Sequence, residues 1–180
     1  MLPDFTDLSI LPRTLGLADD AAEQEERERR ELLIVRAGAR LLGVFADEAG
    51  GVTKWREPTP LPRAPVAVLG VVSIRGLMLT VLDPLRLLGG SSAPEEGSPR
   101  PAFIVALRGD EQLALAVDHA LRIEEIFIDE IEPLARRRSA EDASVLSGVI
   151  QSGSELVAVL DTGELFAAAM RGGERRRQRT

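Results

Sequence analysis

Between Pro65 and Leu88 the chain reads PVAVLGVVSIRGLMLTVLDPLRLL, two apolar runs parted by Arg75-Gly76. A charged arginine between two runs that bury their neighbours is costly unless it reaches water or a partner. Gly76 beside it lets the backbone turn tightly or be approached closely. The stretch therefore reads as two β-strands, 68–74 and 77–83, joined by a hairpin whose start presents one arginine.

The same punctuation recurs along the chain. LLIVRAG (32–38) and RLLGVFA (40–46) flank a turn at Ala37–Arg40, and VTKW (52–55) is a further short strand. FIVALRG (103–109) and EQLALAVD (111–118) meet at Gly109-Asp110, and ALRIEEIFI (120–128) follows. VLSGVIQ (145–151) and LVAVLD (156–161) make a last hairpin around the turn SGSE. Residues 47–51 are polar and Gly-rich. Pro58, Pro60, Pro62 and Pro65 bar a helix or a central strand, so this segment is an extended linker or a strap between sheets. Gly89–Pro101 and Glu130–Ala143 read as exposed connectors. About nine or ten short strands with regular turns predict a small barrel or a sandwich. LIVRAGARLLGVFAD and FIVALRGDEQLALAVD share one layout (apolar run, Gly-containing turn, apolar run, Asp), which suggests two similar lobes.

The ends read differently. Residues 19–31, DDAAEQEERERRE, are dense in helix formers, with acids leading, arginines late and the pairs Glu25–Arg29 and Glu26–Arg30 at helical spacing. This predicts a solvated helix or a disordered extension over residues 1–30, with a docking helix as the alternative. TGELFAAAM predicts a short C-terminal helix capped by Asp161 or Thr162, and residues 171–180 form a basic tail.

Composition narrows the function. The net charge of -7 and the 3% aromatic content argue against general nucleic-acid binding, which needs phosphate neutralisation and stacking platforms. The Arg-rich tail and Arg136-Arg137-Arg138 read as solvated, or as local contacts for an acidic protein, an anionic lipid or a nucleic acid. The chain has no cysteine, which removes disulfides, thiolate metal sites and cysteine nucleophiles. No uncharged apolar run approaches the roughly 20 residues a bilayer span requires. A basic, apolar leader is missing from the N-terminus as well, so a cytoplasmic protein is expected. His119 is the single histidine, with no neighbours at metal-ligand spacing. Asp83 and Asp118 both end apolar runs, where turn or strand-end capping is the ordinary role. An enzyme using Asp83, Asp118 and His119 requires these three to cluster in one pocket. Trp55, the only tryptophan, reads as core packing or as an exposed anchor.

Five segments in order resemble the CheW family of bacterial chemotaxis coupling adaptors. They are LLIVRAGARLLGV, PVAVLGVVSIRG, LTVLDPLRLLG, FIVALRGDEQLALAVDHALRI and LSGVIQSGSELVAVLDTGELF, and they cover roughly residues 31–170. The most specific are G-V-x-x-x-R-G at Gly70–Gly76, L-D-x-L-R at Leu82–Arg86, and A-V-D ending at Asp118. The resemblance implies a mainly β fold of two small Src-homology-3-like, five-stranded β-barrel lobes with a short C-terminal helix. It implies no catalysis and no cofactor. It implies two partners, the helical hairpin of a chemoreceptor and the regulatory domain of a CheA-type histidine kinase, with recruitment to receptor arrays.

Carried over residue by residue, the resemblance places a receptor groove between the lobes. Arg75 is its arginine, flanked by Gly70, Val71 and Gly76, with Val81 among the buried contacts. Ala114 stands where the family commonly has glycine, and Gly148 matches the glycine of a late L-x-G motif. Ala49 and Val52 fall in a second partner-facing segment. The chain departs from the family at Ala49-Gly50-Gly51-Val52, at Ser73-Ile74 and at both ends, so a CheW-like scaffold of a non-chemotaxis pathway is the alternative adaptor.

Overall fold

The short apolar runs form ten strands in two sheets of five, in a computed structural model that describes residues 27–89, 100–134 and 145–177. The strands are β1 (Arg29–Ala37), β2 (Arg40–Phe45), β3 (Ala49–Lys54), β4 (Val68–Ile74), β5 (Leu77–Leu82), β6 (Phe103–Leu107), β7 (Leu113–Val117), β8 (His119–Phe127), β9 (Leu146–Ser152) and β10 (Glu155–Leu160). Two helices follow the hairpins of matching rank, α1 (Pro84–Leu87) after β5 and α2 (Leu165–Arg177) after β10. One sheet runs β8-β1-β2-β10-β9 and the other β3-β6-β7-β5-β4. The second is one contiguous run of chain inserted between β2 and β8 of the first. We call them the inserted lobe and the outer lobe.

The apolar runs are continuous because the central strands bury both faces. Leu32 and Ile34 of β1 point into the outer barrel with Ile150, Val157 and Val159. Leu33, Val35 and Ala37, on the opposite face, join a core shared with Val105, Leu107, Leu113, Leu115 and Val117 of the inserted lobe. Ala114 and Ala116 of β7 fill the inserted barrel together with Val72, Leu79, Val81 and Ile104.

The duplication seen in β1–β2 and β6–β7 extends to the other strands. The β4–β5 and β9–β10 hairpins share one register, down to a slip in each: Gly70 faces Val81 and Gly148 faces Val159. Val81 pairs in parallel with Ala114, and Val159 with Gly43. Asp83 accepts from the Leu85 and Arg86 N–H groups at 3.0 and 3.3 Å, and Asp161 accepts from the Gly163 N–H at 3.1 Å. Each lobe is also crossed by a strap. Thr59 exchanges two backbone hydrogen bonds with Val71, and Glu132 does the same with Val149. The Pro-rich segment is thus a strap lying on its own sheet. Gly70 and Gly148 are glycines because the straps pass over them. A Cβ at Gly148 would lie 2.5 Å from the Glu132 carbonyl oxygen, and one at Gly70 would collide with that of Thr59.

The repeat ends in Asp47 and Asp118 mark the two points where the chain passes between lobes. Asp118 is buried, donates its N–H to the Arg36 carbonyl at 2.8 Å and accepts from the Gly38 N–H at 2.6 Å. Asp47 takes both oxygens to the Arg30 guanidinium at 2.7 and 2.8 Å, and Glu48 adds a bond at 3.1 Å. Both crossings are thereby fastened to the β1–β2 hairpin.

The end of the expected N-terminal helix is corrected here. Arg29–Glu31 are strand, paired with Glu125–Phe127 of β8. Local propensity loses to a β8 edge that offers both a ladder and ion partners. Arg27 forks onto Asp129 at 2.8 Å and lies 4.0 Å from the Phe127 ring centre, while Arg30 lies 3.6 Å from that of Phe45. Residues 19–26 of that expected helix, most of both expected connectors and Arg136–Arg138 lie outside the described residues. β3 starts at Ala49, inside the expected polar turn, and α2 continues past 170 to Arg177.

Two predictions follow from this packing. Gly148→Ala costs about 1–3 kcal/mol by overpacking against the strap. Gly70→Ala costs more, because its φ of +146° adds backbone strain. Urea unfolding of both variants checks the order. The second concerns pH. The Arg27 guanidinium holds the Asp129 carboxyl below its usual value, and Arg30 does the same to Asp47. Each pair therefore helps anchor β1 above the ordinary carboxylate pKa of about 4 and is lost as pH falls through the lowered value. Amide protection factors along Arg29–Leu32 should drop in acid, and Asp129→Asn should reproduce the Arg27 share of the drop at pH 7.

Candidate functional site

Arg75 stands at the tip of the β4–β5 hairpin. Ile74 pairs with Leu77, so the loop is the two residues Arg75-Gly76, with φ of +52° and +83°. Positive φ at both positions defines the type I′ turn, whose twist matches the flanking strands. The turn holds the arginine out of the barrel, where it is exposed and meets no side-chain partner among the described residues.

Around this tip lies a cleft of about 480 Å³. One wall is the β3 edge, Gly50–Thr53, and the other is the hairpin with Ile74, Leu77 and Leu79. The β6–β7 turn closes the end. Arg56, Arg75 and Arg108 line it, and no carboxylate does. Arg108 is held by its Nε donating to the Ala49 carbonyl at 3.1 Å. Arg56 is exposed and makes no side-chain hydrogen bond or ion pair with a described residue. Leu77 (56% exposed), Met78 (55%) and Val52 (41%) put apolar area at and beside the mouth.

The duplication makes visible why the inserted lobe opens here. By register, Gly51, Ile74 and Leu77 correspond to Arg122, Ser152 and Glu155 of the outer lobe. There the three are polar and joined. The Arg122 guanidinium donates to Ser152 Oγ at 2.7 Å, Ser152 Oγ donates to Glu124 at 2.7 Å, and Arg122 lies 3.7 Å from Glu155. This clasp ties β8 to the β9–β10 hairpin. Its counterpart in the inserted lobe is absent, and the mouth stands open.

Of the residues singled out from sequence, Arg75 and Val52 line the cleft. Gly76 is exposed beside it, and Ala49 supplies the carbonyl that holds Arg108. The others lie elsewhere. Val81 and Ala114 are fully buried partners in the barrel, so neither offers a side chain to a groove, which corrects the expectation for Val81. Gly70 and Gly148 sit under the straps, 78 residues apart and one in each lobe, and Val71 is half-buried beside Gly70. Every element of the cleft belongs to the inserted lobe, so it is not the space between lobes. Asp83 and Asp118 are occupied as caps, His119 is exposed, and none of the three lines the cleft. Among the described residues no group of three His, Asp or Glu is placed to hold a metal ion, and no helix is long and apolar enough to cross a membrane. Trp55 is half-buried against the inserted core, with its Nε1 donating to Glu57 at 3.3 Å. Arg56 and Arg108 were missed in the sequence, because only the order and curling of the whole sheet bring them beside Arg75.

The type I′ turn makes a clean variant available. Asn-Gly is the favoured pair for such a turn, so Arg75→Asn removes the charge while leaving stability unchanged or raising it by up to about 1 kcal/mol. A fall in thermal midpoint for this variant would show that Arg75 supports the fold.

Comparison with known proteins gives a consistent result. Residues 31–170 match the CheW-like domain family. The chain is 28% identical over 152 residues to Chemotaxis protein CheW of Rhizobium meliloti (strain 1021), covering 84% of this chain and 97% of that protein. It is 31% identical over 155 residues to Protein FrzA of Myxococcus xanthus, covering 84% of this chain and 94% of that one. The crystal structure of scaffolding protein TtCheW from Thermoanaerobacter tengcongensis superposes with a TM-score of 0.65 at 18% identity, over 77% of this chain and 88% of that one. The paired barrels, the two straps and the family match over most of the chain together show that this protein belongs to the CheW-like family.

Proposed function

We propose that the protein is a non-catalytic signal-transduction adaptor that couples a chemoreceptor of the methyl-accepting type to a CheA-type histidine kinase. The observation that carries this is the family match across 31–170, which takes in both lobes and both straps. The mechanism is geometric. The lobes share one core, so partners bound at separate surfaces are held in a fixed relation. Control of the kinase then requires that receptor states differ in affinity for the adaptor, since tethering alone shifts no equilibrium.

On this reading the receptor's cytoplasmic helical hairpin meets Arg75, Gly76 and Val71. A guanidinium forks onto carboxylates or onto the last carbonyls of a partner helix, which suits Arg75 to fixing orientation. Exposed Leu77 and Met78 add apolar contact. Gly70, Val81, Ala114 and Gly148 act from beneath by setting the shape of the surface. Ala49 and Val52 face the second partner, the kinase regulatory domain. The adaptor works in the cytoplasm, recruited to membrane-associated receptor arrays. A CheW-like scaffold in another motility or regulatory pathway is the second reading, favoured by the 31% identity to FrzA, whose name does not mention chemotaxis.

The test is a pull-down from extract of the protein's own cells, with Arg75→Glu as control. Recovery of a chemoreceptor and a CheA-type kinase is expected, with the receptor reduced at least tenfold in the control. Recovery of neither by folded bait would refute the coupling role. Recovery of a kinase with a receptor of another type would move the protein to the second reading.

A further inference from the structure

The open mouth of the inserted lobe lies between its two edge strands. β3 and β4 each pair on one side only. At one end the strap closes the gap, Thr59 and Val71 exchanging bonds of 2.8 and 2.9 Å. At the other end nothing among the described residues joins them, and the cleft opens there. The Trp55 N–H donates to Ala102 across the β3–β6 ladder. Antiparallel strands alternate the direction of their backbone groups, so Val52, three residues back, directs its N–H and C=O out of the sheet. On the facing strand Val71 directs its groups outward to the strap, so exposed Ser73, two residues on, also points its groups outward. The cleft therefore offers unpaired backbone on both walls.

We propose that this cleft takes an extended, acidic segment of a partner protein, added as a strand along β3, with its carboxylates on Arg56, Arg75 and Arg108 and alternate apolar side chains on Leu77 and Leu79. The proposal rests on the adaptor reading and adds to it a second, extended ligand that shares Arg75 and Leu77 with the receptor's helical hairpin, so that the two bind in turn. Three guanidiniums, in a lining that holds no carboxylate, set the charge of the occupant. The exposed backbone at the edge sets its conformation, since strand addition draws affinity from main-chain hydrogen bonds and specificity from alternate side-chain pockets. In the outer lobe the Arg122–Ser152–Glu155 clasp occupies the equivalent positions.

The test uses a capped, fluorescein-labelled peptide of four Glu-Val repeats, with a Lys-Val peptide and a Glu-Val peptide N-methylated at alternate residues as comparisons. Fluorescence anisotropy gives affinity, and amide chemical shifts locate binding. The acidic peptide should bind, shift Val52, Ser73 and Arg75, and lose at least tenfold in affinity on alternate N-methylation. Arg75→Asn and Arg56→Gln should each weaken it about tenfold, and the Lys-Val peptide should not bind. Building the carboxylates and hydroxyl of the outer lobe's clasp into the inserted lobe, with Thr53→Glu, Ile74→Ser and Leu77→Glu together, should abolish binding. The single variants keep the test decisive if the triple does not fold. No binding at millimolar peptide, or indifference to N-methylation, overturns strand addition. Equal shifts at β8 overturn its restriction to the inserted lobe. The pull-down addresses the adaptor role separately, so receptor recovery alongside a failed peptide result would sink this inference alone.

Discussion

Four strands that bury both faces hold this structure together. β1, β2, β6 and β7 each turn one face into a barrel and the other into the common core. Neither barrel is complete on its own terms, because covering the outward faces of Leu33, Val35, Leu42 and Val44 requires Val105, Leu113, Leu115 and Val117. The hydrophobic term that closes each barrel is thus also the term that joins the two. The polar staples follow from it. Asp118 and the Asp47–Glu48 pair lie where the chain leaves one lobe for the other, and both are fastened to the hairpin that the two lobes share.

The duplicated halves have diverged at one end and kept the other. The strapped ends agree down to the glycine beneath each strap and the capping aspartate that follows each hairpin. The hairpin ends differ in three positions, polar and clasped in the outer lobe, apolar and open in the inserted one. A chain with net charge -7 thereby keeps a local cationic patch. The arginines retain their effect because no carboxylate lines the cleft.

Most strands were legible because turns and apolar runs are local signals. The β4 range of 68–74 and the hairpin at Arg75-Gly76 could be taken directly from the order of residues. Arg29–Glu31 could not, since their strand state depends on a ladder with Phe127 nearly a hundred residues away. α1 was missed because one turn of helix has no periodicity, although Asp83 was read as a cap and is one. Val81 was assigned to a groove on its family position. An apolar residue in a barrel strand gives no local sign of which face it takes. The cleft was invisible for a related reason. Its arginines come from a strap, a hairpin tip and a turn, and only sheet order brings these together. The agreement of 68–83 with 146–161 was present in the sequence, and aligning it would have exposed the Ile74–Ser152 and Leu77–Glu155 contrasts.

The insertion of one lobe within the other also imposes an order in time. The β1–β2 hairpin leaves the ribosome first, but its barrel partners begin only at His119, more than 70 residues after Phe45. At about 5–20 residues per second, that is a wait of about 4–15 s. During it the inserted lobe, whose five strands are consecutive, can fold and cover one face of the waiting hairpin. The shared core is therefore a template as well as a joint: the lobe finished first shelters half of the lobe finished last.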